Sequence, residues 1–124
     1  MSPMQSLDRL RPAILLLTGV IGAAGVTMAA AATHMGGALL GPASAMCLAH
    51  APALLALYAC GDKIRTSSLS ALAMVIGVLL FAGDLAAKQF LGSGLFPMAA
   101  PSGGMLMMAG WLLAGAGALF PPRR

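Results

Sequence analysis

Glutamate is absent from this 124-residue chain, and Asp, Lys and Arg together make up only 8% of it. Soluble domains carry about a quarter of their residues as charged groups, because a water-facing surface needs them. With 60% hydrophobic residues, the chain has too little charge to cover a soluble core. Lipid is its natural solvent. Aromatic side chains are also scarce, with a single tyrosine, Tyr58, and a single tryptophan, Trp111. Two scattered rings and no basic face exclude base stacking along a nucleic acid, so the net charge of +4 has another origin. Cysteine occurs twice, at Cys47 and Cys60. On one helix those thirteen positions would span about 20 Å, beyond the reach of a disulfide. Both are expected to be small packing residues. No phosphate-binding Gly loop with Lys, no paired cysteine motif and no nucleophile–base arrangement is present. No enzymatic activity and no cofactor are expected.

Four apolar runs dominate: Ala13 to Ala32, Ala43 to Cys60, Leu69 to Leu91 and Gly103 to Phe120. Each falls within the roughly 17 to 25 residues that a helix needs to cross the hydrocarbon core. The runs are long, rich in Ala and Leu, and do not alternate, which predicts helices rather than strands. A helix also satisfies its own backbone hydrogen bonds in lipid. Pro12 and Pro42 stand where a first helical turn tolerates a missing N–H. The stretches "GDKIRTSS" (61–68) and "FPMAAPSGG" (96–104) read as loops, with Ser102 placed to help cap the last helix. The expected fold is all-α: one integral-membrane domain over residues 1–124, built as a bundle of four transmembrane helices with short loops.

The basic residues sort to one side. Arg9 and Arg11 precede the first run, Lys63 and Arg65 separate the second and third, and Arg123 and Arg124 close the chain, whereas 33–42 and 92–102 carry no Lys or Arg. By the positive-inside rule, both termini are expected in the cytoplasm. Arg9 and Arg11, the first run and "MAAAATH" also fit a signal peptide with a small-residue cleavage site. Twenty uncharged residues exceed the usual apolar core of such peptides, which favours a retained helix.

Small residues at four-residue spacing let helix backbones approach closely in lipid. Gly19, Gly22 and Gly25 in the first helix and Gly110 in the fourth are the candidate packing positions.

Asp84 and Lys88 interrupt the third run. Each costs roughly 2.5 to 3.5 kcal/mol at a helix centre on the insertion scale, whereas each Leu, Ile, Val or Phe recovers about 0.3 to 0.6. Eleven such residues lie between 69 and 91, so the sums nearly cancel. Lys88 lies near the end of its run and can reach the headgroups. It also lies four residues after Asp84, the better orientation for an ion pair. His50 and Asp84 are each seven residues from the outer ends of their runs, or about 10 Å deep. His34 follows the first run at the same side. One polar cluster of His34, His50, Asp84 and Lys88 is therefore expected in the outer half of the bundle. Such a cluster either fixes helix register or carries protons. Cys47 and His50 lie three apart in a chain with ten methionines, a donor set that suits Cu(I). Met in a membrane helix is more often core filler, so no metal is expected.

Several stretches resemble a family of small membrane proteins, the domain of unknown function 423 family, which includes transmembrane protein 256. "GVLLFAGDL" (77–85), then "FPMAAPSGG", then Gly110–Trp111 is similar to its Phe-Gly helix, Pro-Gly-Gly loop and Gly-Trp helix. "LAHAPALLALY" (48–58) is similar to its His-containing second helix, and "ATHMGG" (32–37) to the Gly-Ala-His-Gly stretch after its first. The family pattern more often carries Ser than Asp after the Gly of the third helix. The resemblance implies a multi-pass protein of the bacterial inner membrane, or its organellar counterpart, and implies no activity. The expected role is non-enzymatic: an accessory or scaffold in the lipid bilayer, packing against lipids, a membrane-protein partner or a second copy. The alternative is proton or small-ion transport through the polar cluster.

Overall fold

A computed structural model of the chain describes residues 6–7 and 9–122. Four long helices follow one another: α1 (Arg11–Met35), α2 (Leu40–Ala59), α3 (Ser67–Leu91) and α4 (Ala99–Ala116), the last tightening into a 3₁₀ turn, Gly117–Leu119. There is no strand among the described residues. Each helix, α4 together with its 3₁₀ turn, is long and apolar enough to cross a membrane.

Local chemistry explains most of the boundaries. Pro12 occupies the first turn of α1, where its missing N–H has no intrahelical partner to lose. Gly92 closes α3 in the left-handed conformation, φ 80, which a residue with a β-carbon adopts only with strain. The largest departure from the expected limits is at α4, which starts at Ala99 rather than Gly103. Pro101 sits in its first turn, where the helix tolerates it. Ser102 is consequently inside the helix and does not cap it; its N–H donates to the Met98 carbonyl at 2.9 Å. The helix also closes at Ala116, short of Phe120. Helix α2 begins at Leu40, three residues before the expected Ala43, and that shift moves His50 deeper.

The flanking helices α1 and α4 each bury four residues, against eight in α2 and ten in α3. The central pair is therefore α2 and α3. Helix α1 packs mainly on α2, α4 mainly on α3, and α1 touches α3 lightly. Ile14, Thr18, Ile21 and Gly25 form the single buried stripe of α1; Ala99, Gly103, Met107 and Gly110 form that of α4. These steps of three and four residues mark one helical face. The outward faces are apolar, with Leu16 72% and Leu112 75% exposed. A bilayer accepts such a surface, because lipid tails are as apolar as leucine.

Close backbone contacts hold the helix pairs. A β-carbon on Gly77 would lie 2.7 Å from the Gly103 carbonyl oxygen, and one on Gly103 would lie 2.5 Å from that of Gly77. On the next turns the Ser70 hydroxyl donates to the Gly110 carbonyl at 2.6 Å, and the Thr66 hydroxyl donates to Leu113 at 2.5 Å. The α1–α2 pair repeats the device: Ser44 donates to the Gly25 carbonyl at 2.8 Å, and Cys47 packs where Gly25 lacks a side chain. In each pair a serine of the central helix meets a glycine of the flanking one. Without a β-carbon the glycine carbonyl is accessible, and its second lone pair takes the hydroxyl.

Of the four glycines singled out from the sequence, Gly25 and Gly110 sit in tight contacts and Gly22 faces Ala51 at ordinary distance. Gly19 meets nothing within 4 Å and lies on the exposed side of α1. Gly77 and Gly103 make the closest crossing and were not singled out, although Ala73 and Ala99 precede them at four-residue spacing; spacing alone does not say which of many such pairs faces a neighbour. Their complement lies on the other helix.

Gly77→Leu should therefore destabilise the bundle by at least the roughly 1 to 3 kcal/mol typical of overpacking, because backbone rather than a flexible side chain stands in the way. Gly19→Leu should change stability little. Denaturation in mixed micelles, followed by helical circular dichroism, separates the two.

Candidate functional site

The ionisable groups inside the bundle belong to two separate constellations rather than one. His50 lies ten residues after the start of α2, or about 15 Å from its outer end, and is 4% exposed. Its Nδ1–H donates to the Met46 carbonyl one turn back, at 2.8 Å. Its Nε2 accepts the indole N–H of Trp111 from α4, at 3.0 Å. Accepting at Nε2 requires that nitrogen to be unprotonated, so the two bonds together select the neutral Nδ1–H tautomer. The rings meet edge to face, with centroids 5.8 Å apart and planes inclined by 65°.

Asp84 is 1% exposed in α3. One carboxylate oxygen accepts the Leu95 N–H at 2.9 Å; the other pairs with Lys88 Nζ at 3.0 Å, one turn on. Lys88 keeps 46% of its side chain exposed and reaches outward, as long cationic side chains do near a membrane boundary. The Ala100 N–H also interacts favourably with the carboxylate. Ala100 lies in the first turn of α4, whose N-terminal residue Met98 supplies no side-chain cap. Asp84 therefore holds the segment leading into α4 and places negative charge near the positive end of that helix. The connecting segment 92–98 folds back along α3 to meet it. Gly94 permits the approach, since a β-carbon there would lie 2.3 Å from the carboxylate.

The expected single cluster is thus corrected. Asp84 spends its oxygens on the α3–α4 connection, His50 bonds to Met46 and Trp111, and only Lys88 joins Asp84. His34 is exposed in the last turn of α1. The displacement follows from the earlier start of α2, which puts His50 about 5 Å deeper than its apolar run alone implied. Trp111 was a detectable partner: a buried imidazole acceptor needs an N–H or O–H donor, and Trp111 carries the only indole in the chain. Leu95 was not detectable, because its contribution is a backbone N–H that almost every residue has.

Two apolar grooves flank the core. One, of about 190 Å³, lies between α1 and α3 with Cys47 at its floor. The other, of about 300 Å³, lies between α2 and α4 and is lined by Ala53, Leu57, Cys60, Ile64, Met74 and Trp111, among others. Cys60 is exposed at the end of α2, unlike buried Cys47. Among the described residues no three His, Cys, Asp or Glu side chains converge as a metal site would require. At the opposite end from Asp84, the Arg11 guanidinium donates to the Tyr58 carbonyl and stacks 5.0 Å from the Tyr58 ring.

Trp111→Phe, which keeps the ring but removes the donor, should lower stability by about 0.6 to 1.7 kcal/mol, the range of interhelical hydrogen bonds in membranes. The same change should move the imidazole ¹⁵N resonance of Nε2. Asp84→Ala should release segment 92–98 and speed amide exchange at Leu95, whereas Lys88→Gln should do so less, because Lys88 is half in solvent. Hydrogen–deuterium exchange read by mass spectrometry compares them directly.

No curated protein and no solved structure matches this chain. Residues 18–104, from the second turn of α1 through the Asp84 constellation to the first turns of α4, match the family described as Protein of unknown function (DUF423), and with the larger part of its length so matched, the chain belongs to that family.

Proposed function

We propose that the protein is a non-enzymatic accessory or scaffold of the bacterial inner membrane, crossing it four times and packing through its apolar surface against lipids, a membrane-protein partner or a second copy. Both ends face the cytoplasm in this reading. Arg9, Arg11, Lys63 and Arg65 support it, because they lie at one end of the bundle while the loops at the other end carry no Lys or Arg.

One observation carries the choice between accessory and transporter. No buried side-chain nitrogen or oxygen among the described residues lacks a hydrogen-bond partner. A proton path needs groups that can exchange partners with water or with each other. His50 and Asp84 instead spend their bonding capacity on tying α4 to α2 and α3. The grooves beside them are apolar and offer water nothing to bind.

Proteoliposomes carrying an internal pH dye test the reading. The expected result is decay of an imposed pH gradient no faster than in protein-free vesicles. Faster decay that disappears in the Asp84→Asn or His50→Gln variant would establish the transport reading and end this one.

A further inference from the structure

The groove between α2 and α4 runs from the bundle's middle to the membrane surface, and the two ends differ in chemistry. Its deep end is closed by Trp111, held to His50 by the indole hydrogen bond. The α2 residues along it, Ala53, Ala56, Leu57 and Cys60, all lie beyond His50 toward the 60–66 loop. Small side chains on both walls (Ala53, Ala56 and Ala114) leave the volume open, and buried Met74 of α3 forms the floor. At the surface end Ile64 enters the lining from the loop itself. The residues on either side of it are Lys63 and Arg65, both exposed.

Neither side chain has a hydrogen-bond or ion-pair partner among the described residues. The side-chain hydrogen bonds at this end use Arg11, Thr66 and Ser67; Lys63 contributes only its backbone N–H, to the Cys60 carbonyl at 2.9 Å. The two cations flank Ile64 of the groove and outweigh the exposed Asp62 before them, and a net positive end on an apolar groove matches an amphiphile with a negative head and a hydrocarbon tail. A basic pocket between membrane helices is the usual recognition device for anionic lipid headgroups.

We propose that this groove is a binding site for an anionic phospholipid, with one acyl chain lying between α2 and α4 against Met74 and Trp111, and the phosphate at Lys63 and Arg65. The site rests on the reading that lipid covers this outer surface, and it names the class of lipid. The opposite groove, between α1 and α3, lies beside loops without Lys or Arg and carries no such preference.

The test is native mass spectrometry of the delipidated, detergent-solubilised protein titrated with phosphatidylglycerol or phosphatidylcholine of identical acyl chains. The wild type should retain one phosphatidylglycerol in preference to phosphatidylcholine. The preference should fall about fivefold for each cation removed in Lys63→Gln and Arg65→Gln, following the roughly 1 kcal/mol per basic residue near a charged surface. Ala114→Phe, which fills the groove, should lower retention of both lipids while leaving the headgroup preference of any residual binding. Lys88→Gln, at the other end, should change neither. Equal retention of the two lipids, or a preference that survives the double variant, overturns the proposal. So does a dimer mass without bound lipid, which would assign the groove to a second copy. The Lys63 and Arg65 side chains make no hydrogen bond or ion pair among the described residues, and Gln keeps the Lys63 backbone bond to Cys60, so a lost preference in a variant with unchanged circular dichroism reports on the lipid alone. Proton flux in the liposome assay would end the accessory reading without touching this site, and absence of lipid preference would end this site without creating flux.

Discussion

Helices already dissolved in lipid gain nothing by hiding apolar side chains from one another, so their association rests on close packing and on polar groups with nowhere else to bond. The crossing of Gly77 over Gly103 is where that constraint bears hardest. Each glycine leaves its partner's carbonyl room that no other residue would leave, and the contact sets the register of α4 along α3. From that register follow the position of Gly110 opposite Ser70 and the level at which α4 begins, beside Asp84. Trp111, one residue after Gly110, is thereby brought to His50. The polar chemistry of the bundle is a consequence of its closest backbone contact.

Helix α4 packs on α3 over the most extensive interface of the bundle, yet it buries only four of its own residues, and its N-terminal residue provides no cap of its own. Polar contacts add to this packing: Asp84 holds Leu95 in the segment that leads into α4, and Ser70, His50 and Thr66 meet Gly110, Trp111 and Leu113 along it. Each satisfies a buried group that lipid could not. In this arrangement an acid and an imidazole inside the bundle act as fasteners between helices. The same economy appears in α1, where Ser44 and the Gly25 carbonyl join helices that have few other polar groups.

A central pair of helices with one helix on each flank leaves two clefts, one between α1 and α3 and one between α2 and α4. Both are apolar. They differ in what stands at the nearest surface, because the loop between α2 and α3 carries Lys63 and Arg65 whereas the other two loops carry no cation. The uneven distribution of charge between the two ends of the bundle thus distinguishes two otherwise similar clefts.

The number of helices, their order and the apolar character of their surfaces were legible in the sequence, because 60% hydrophobic content in four uncharged or nearly uncharged runs permits little else in lipid. The i, i+4 pair of Asp84 and Lys88 was legible for the same reason: it is local, and helix geometry alone brings the two together. Relations between helices were not. Gly19 and Gly25 look alike by spacing, yet one faces open space and the other holds α2, because facing depends on the rotation of α1 against its neighbour. His50 and Asp84 appeared to share a depth, but a three-residue extension of α2 and the folding back of segment 92–98 gave each a different partner. Sequence alone determined which segments leave water and which residues are too polar for lipid. Tertiary structure decided how each polar residue is satisfied, because the partners, an indole N–H from α4 and a backbone N–H from a loop, become neighbours only once the glycine contacts have set the helices in register.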